Sequence, residues 1–162
     1  MKKIVVFLSK KPVVARSGVG KYLFDYFNTL DKEYEVEYVY QPDETTIYWR
    51  FFILPKIIER DYKGYVKVFL DELFLTAINS KNSEDTVAIV QHYPYLSPVG
   101  NLEDFLIKVL TYFYFKRLKY VTHIVSGSEF TKGILTDYLK VPAKKITTIS
   151  SAFDPVVYSS VS

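Results

Sequence analysis

The sequence has no cysteine, only two histidines, and no two aspartates separated by a single residue. The first absence excludes a disulfide framework, a thiolate zinc site and a cysteine nucleophile. His92 and His123 are too far apart in sequence to read as a metal-ligand cluster, and the Asp-x-Asp metal motif is missing. Gly127-Ser128 is not a nucleophile elbow, because Phe130 and Thr131 stand where the second glycine belongs. No metal site is therefore expected.

Long apolar runs are also absent. Ile4 to Leu8 is too short for a signal-peptide core, and Ile47 to Ile58 is broken by Arg50, Pro55 and Lys56, so it cannot cross about 30 Å of hydrocarbon. A cytoplasmic chain, without targeting segment or membrane span, is the expectation. Charge of one sign is scarce as well: 21 Lys+Arg against 18 Asp+Glu leave +3, without basic runs, which argues against a nucleic-acid partner.

What is plentiful is apolar and aromatic surface. With 162 residues, 49% of them hydrophobic, the chain can bury the core of one domain. Fifteen Tyr and twelve Phe bring the aromatics to 17%, a surplus that leaves large apolar surface to account for.

The pattern along the chain alternates strand and helix. Ile4-Val5-Val6-Phe7-Leu8 has no polar face, as in a strand covered on both sides. Val19, Tyr22, Leu23, Tyr26, Phe27 and Leu30 then fall at helical spacing, with Ser17 as cap. Glu35 to Tyr40 alternates as an outer strand, which Pro42 stops. Thr45 to Ser80 reads as two helices interrupted at Pro55 and Gly64. Thr86 to Gln91 predicts a buried strand. Leu102 to Tyr120 predicts a long helix that buries Leu102, Phe105, Leu106, Val109, Leu110 and Phe113. A short strand at Thr122 to Val125 leads to a capping box, Ser126-x-x-Glu129, and to a helix with Phe130, Ile134, Leu135, Tyr138 and Leu139 inward. Ile146 to Ile149 is the last strand. Such alternation predicts an α/β fold with a mostly parallel sheet, helices on both faces, and ligands at the carboxyl ends of the strands.

Two places at that edge could carry chemistry. Arg16 and Ser17-Gly18-Val19-Gly20-Lys21 lie between the first strand and first helix, where bare amides and the positive helix end can meet a phosphate or a sugar. The loop is neither a dinucleotide fingerprint, since Leu23 replaces the third glycine, nor a Walker loop, since Tyr22 follows Lys21. Its plain alternative is a flexible loop feeding a helix. His92 follows the strand Thr86 to Gln91 directly, with Tyr93-Pro94-Tyr95 to shape a pocket, and it can polarise or deprotonate a hydroxyl or be merely structural. His123, at a strand start, is read as structural. A third feature is the mixture of Tyr112, Phe113, Tyr114 and Phe115 with Lys108, Lys116, Arg117 and Lys119, together with Tyr48-Trp49-Arg50-Phe51-Phe52. Aromatics beside basic residues suit a lipid interface, and a covered helix shows the same excess.

In order, these landmarks resemble the N-terminal half of GT-B glycosyltransferases, in particular glycosyltransferase family 4, the retaining "glycosyl transferases group 1" enzymes. Ile4 to Leu8 followed by Ser17-Gly18-Val19-Gly20-Lys21-Tyr22 resembles the family's first strand and Gly-rich loop. His92-Tyr93-Pro94 resembles its His-containing strand end, and Val125-Ser126-Gly127-Ser128-Glu129-Phe130-Thr131-Lys132 its V-S-x-[SN]-[ET]-x-x-K segment. Pro142 to Ile149 with Phe153-Asp154-Pro155 resembles the stretch that closes the first domain.

The resemblance implies one three-layer Rossmann-like acceptor-side domain over 1–162, facing a donor-binding domain that this chain lacks and that would be supplied in cis or in trans. It implies His92 as the catalytic residue beside the reacting sugar. It places Arg16, Gly18, Val19, Gly20 and Lys21 at the donor phosphate or acceptor, and Ser126, Ser128, Glu129 and Tyr93 along the cleft. The partners implied are a nucleotide-sugar as co-substrate and a glycan or lipid-linked acceptor, with no cofactor and no metal, and the location is cytoplasmic or peripheral at a membrane. Ser151-Ala152 departs from the family's Asn-Gly, and no two glutamates stand eight positions apart as in its Glu-x7-Glu donor motif. A rival expectation keeps the fold without catalysis, as a membrane- or protein-interaction domain. A third is a small nucleotide-binding doubly wound protein.

Overall fold

The computed structural model describes residues 2–8, 33–42, 48–91, 100 and 102–149. It is an α/β fold built on one six-stranded sheet: β1 (Lys2–Leu8), β2 (Tyr34–Tyr40), β3 (Val66–Phe69), β4 (Thr86–Val90), β5 (His123–Ser126) and β6 (Ile146–Thr148), in the order β2-β1-β3-β4-β5-β6. Every pairing is parallel, with Leu8 opposite Tyr40 and Phe7 opposite Phe69. The helices are α1 (Leu54–Asp61), α2 (Leu102–Lys116) and α3 (Glu129–Asp137). This is the Rossmann-like arrangement that strand-helix alternation predicts.

Two apolar clusters flank the sheet. Val5, Phe7, Phe69, Ala88, Val90 and Ile124 point to one face, where they meet Leu54 and Ile58 of α1, Phe115 of α2 and Leu135 of α3. Ile4, Val6, Leu8, Val68 and Ile89 point to the other. The opposite directions of successive side chains follow from the strand period of two. Phe7 lies at the centre of the first cluster, stacked on Phe69 at 4.9 Å between ring centres and edge-on to Tyr62 at 5.8 Å.

The expectation of two helices between Thr45 and Ser80 is only half met. A π-helical turn (Trp49–Ile53) runs into α1, but Val66–Phe69 is strand β3, seated between β1 and β4, and Glu72–Ala77 is a 3-10 helix capped by Asp71. The turn into β3 uses Gly64 at φ 81°, where L side chains are strained, and Tyr65 N–H closes it on Tyr62 O at 3.2 Å. Lys67 lies within this strand, its side chain is buried, and its ammonium donates to Glu84 O at 2.7 Å and Tyr65 O at 3.2 Å.

Both predicted helix stripes are met in part: Leu110, Ile134, Leu135 and Leu139 pack inward as expected, and the aromatic members do not. On α2, Phe105 and Phe113 are exposed, and the buried row is Thr111, Tyr114 and Phe115, continued by Leu118 in the 3-10 turn Arg117–Tyr120. These positions are spaced i, i+3, i+4, i+7, and aromatics all round the helix had offered more than one such row. On α3, Thr131, Ile134 and Leu135 are buried while Phe130 and Tyr138 face outward. The Tyr48 to Phe52 group divides likewise: Trp49 packs edge-on against Phe74, and Tyr48 and Phe52 stack on each other in the open.

Candidate functional site

The carboxyl ends of β4, β5 and β6 converge on one turn, Ser126-Gly127-Ser128. Ser126, the last residue of β5, is fully buried; its hydroxyl donates to Ser128 O at 2.6 Å. Gly127 N–H donates to Val90 O at 3.0 Å, and Ile149 N–H to Ser126 O at 2.9 Å, so the turn is sewn to both neighbouring strands. A Cβ on Gly127 would lie 3.4 Å from Gln91 Cα, at the near limit of van der Waals contact. The backbones of β5 and β4 thus approach closely at this turn.

The capping box expected from Ser126 and Glu129 is not formed. Ser126 belongs to the strand, and the cap of α3 is Ser128, whose hydroxyl oxygen accepts from Thr131 N–H at 3.1 Å. Two serines one residue apart made the choice ambiguous in sequence, and the strand pairing of Ser126 with Thr148 decides it. Thr131 completes the lock by contacting the Ser128 hydroxyl at 3.0 Å and donating to Gln91 O at 3.3 Å. Glu129, in the first turn, faces Lys132 at 3.3 Å, and its carboxyl is held below the usual range by the Thr148 hydroxyl beside it and then by Lys132. At the carboxyl edge the exposed Glu129 carboxylate thus lies at the positive end of a helix, and Gln91, immediately before His92, is tied to that helix through its carbonyl.

Of the residues singled out in sequence, Ser126, Ser128 and Glu129 are brought together here. Arg16, Gly18, Val19, Gly20, Lys21, His92 and Tyr93 lie outside the described residues. His123 stands at the other end of β5, where its Nε2 meets Thr147 Oγ1 at 2.9 Å across the strand pair. Among the described residues no group of three or more His, Asp or Glu side chains could hold a metal ion.

A second grouping at this edge was missed in sequence. The strand order reverses at β1, so the crevice between the ends of β1 and β3 is where a doubly wound sheet receives ligands. Asp71 follows β3 there, its carboxylate accepting from Leu73 N–H at 3.0 Å, while Leu70 N–H donates to Phe7 O. Burial raises the Tyr114 phenol, an effect that neighbouring Arg50 opposes and Asp71 adds to. Arg50 Nε is buried without a hydrogen-bond partner among the described residues. Phe69-Leu70-Asp71, an apolar run ending in an acid, was the available signal.

No protein-family model matches the chain, and no curated protein is significantly similar to it in sequence.

Proposed function

We propose that this chain is the acceptor-side domain of a retaining glycosyltransferase, which moves a sugar from a nucleotide-sugar donor to a glycan or lipid-linked acceptor together with a donor-binding domain supplied in cis or in trans. The observation that carries the reading is the union at one sheet edge of the Ser126-Gly127-Ser128-Glu129 turn with the end of β4, sewn by Gly127 to Val90 and by Thr131 to Gln91. That edge is where a parallel sheet binds its ligands, and the turn belongs to one of the two segments on which the family resemblance is specific. In this reading His92 stands beside the reacting sugar, and Arg16 with the Gly18 to Lys21 loop meets phosphate or acceptor. The test is genetic and chemical: delete the gene in its host, complement with native chain or His92→Ala, and follow radiolabelled sugar from nucleotide-sugar donors into glycan and lipid fractions. One labelled product should vanish on deletion and return with the native chain alone. Identical product profiles in all strains overturn the proposal.

A second reading, an interaction domain that keeps the fold without catalysis, is favoured by the exposed stack of Tyr48 on Phe52. They line a groove of about 650 Å³ along α1. Normal complementation by His92→Ala, with loss of the phenotype on Phe52→Ser, would select it.

A further inference from the structure

The amino end of the sheet carries a different surface. The turn Arg117–Tyr120 precedes β5 and the turn Ala143–Lys145 precedes β6, so both lie at the edge opposite the Ser126 turn. Between them is a groove of about 500 Å³, lined by Tyr112, Lys116 and Lys119 on one side and by Tyr138, Lys140 and Lys145 on the other. Among the described residues no carboxylate lines it, and none of its lysines is in an ion pair.

Its charge is out of proportion to the molecule. Residues 112–120 and 138–145 hold six Lys and Arg and no acid, whereas the chain as a whole is +3, so the remainder sums to −3. Lys145 is anchored, donating to Val121 O at 3.0 Å and Lys119 O at 3.2 Å, which fixes the groove floor. The ammonium groups of Lys116 and Lys119 rest over the rings of Tyr112 and Tyr120 at 5.6 and 4.7 Å, and both lysines are exposed. The rim is aromatic: Tyr112, neighbouring Phe113 and Tyr138 are 42%, 52% and 66% exposed. Tyrosines at a rim of unpaired lysines match a bilayer's interfacial zone, where rings sit at headgroup depth and lysines reach anionic phosphates. An inorganic polyanion would need the lysines but not the rings, and a single-stranded nucleic acid, which stacks bases on rings, is separated by the experiment below.

We propose that this lysine-tyrosine groove docks the domain peripherally on an anionic lipid surface, with the carboxyl edge turned away from it. The inference is independent of sugar transfer. Each lysine close to an anionic bilayer adds about fivefold to partitioning, an effect that salt screens.

The experiment is co-sedimentation of the full chain with vesicles of phosphatidylcholine alone and of phosphatidylcholine mixed with phosphatidylglycerol. Binding to the mixed vesicles only is expected, with a loss of about 100-fold when Lys116→Gln, Lys119→Gln and Lys140→Gln are combined. The control combination Lys56→Gln, Lys108→Gln and Lys132→Gln makes the same change in charge away from the amino edge, within the helices, and should cost under about threefold. Circular dichroism checks that each variant is folded, and Tyr138→Ser alone, which removes a rim ring without altering charge, should still weaken binding. Absence of vesicle binding, equal binding to neutral vesicles, or equal losses in the two triple variants overturns the proposal. So does binding confined to inorganic polyphosphate or single-stranded RNA, which would mark the groove as a soluble-polyanion site.

Discussion

Thr86 and Thr122 exchange hydrogen bonds in both directions: Thr86 N–H donates to Thr122 Oγ1 at 3.2 Å, and Thr122 N–H to Thr86 Oγ1 at 3.0 Å. Both hydroxyls also lie within reach of Ser83 O, at 2.9 and 3.0 Å. The pair closes the amino ends of β4 and β5, where parallel pairing begins. Thr86→Val keeps the shape, removes the hydroxyl and leaves Thr122 N–H without its acceptor. It should cost about 1–3 kcal/mol, measured by urea unfolding. A loss within error would show that water replaces the bond.

The ring of Phe7 is fully buried against Phe69, Tyr62 and Phe74. Phe7→Ala should lower stability by about 3–5 kcal/mol, through lost transfer energy and the cavity left behind. That is a large share of the roughly 5–15 kcal/mol that holds a domain together, so Phe7→Leu is the practical companion. The midpoint in denaturant should fall in the order native, Leu, Ala.

Ser128→Ala removes the cap of α3 and should cost about 1 kcal/mol, whereas Ser128→Asp retains an acceptor and should cost less. Faster amide exchange at Thr131 in the alanine variant is the local readout. Ser126→Ala acts differently, since its buried hydroxyl serves the turn and not the helix. The two serines therefore separate by where exchange quickens.

Lys67 offers a pH test. Burial holds its ammonium below the ordinary value of 10.5, against the opposing pull of Asp85 and Glu84. The folded chain then gives up this proton at lower pH than the unfolded chain, so between the folded value and 10.5 the unfolded state binds more protons and stability rises with pH. Relative to Lys67→Met, the native chain should gain stability as pH climbs from neutral toward that limit. A constant difference between the two unfolding curves would show that Lys67 titrates as a free lysine.

Most of the sheet was legible because its strands announce themselves: Ile4 to Leu8 and Thr86 to Val90 are apolar on both faces, and Glu35 to Tyr40 alternates as an edge strand does. Strand β3 was not, because Lys67 interrupts it, and the carbonyls of Tyr65 and Glu84 that permit its burial are a tertiary fact. Helix positions were legible and helix rotation only in part. Rings on every side of α2 satisfied several stripes, and packing into the core beside the 3-10 helix Glu72–Ala77 selected the one through Thr111 and Tyr114. At the site, the segment Ser126 to Glu129 was found, although its cap was assigned to the wrong serine. The grouping of Arg50, Asp71 and Tyr114 was hidden, since its members come from three distant stretches and one depends on β3.

The two faces of β1 have a consequence for how the molecule comes apart. Val5 and Phe7 belong to one apolar cluster, and Ile4, Val6 and Leu8 to the other, on a single seven-residue strand. Neither cluster can loosen without withdrawing support from the strand that the other grips. The sheet's two sides are thereby made to melt in concert, and β1 is the rivet through which failure on one side becomes failure of both.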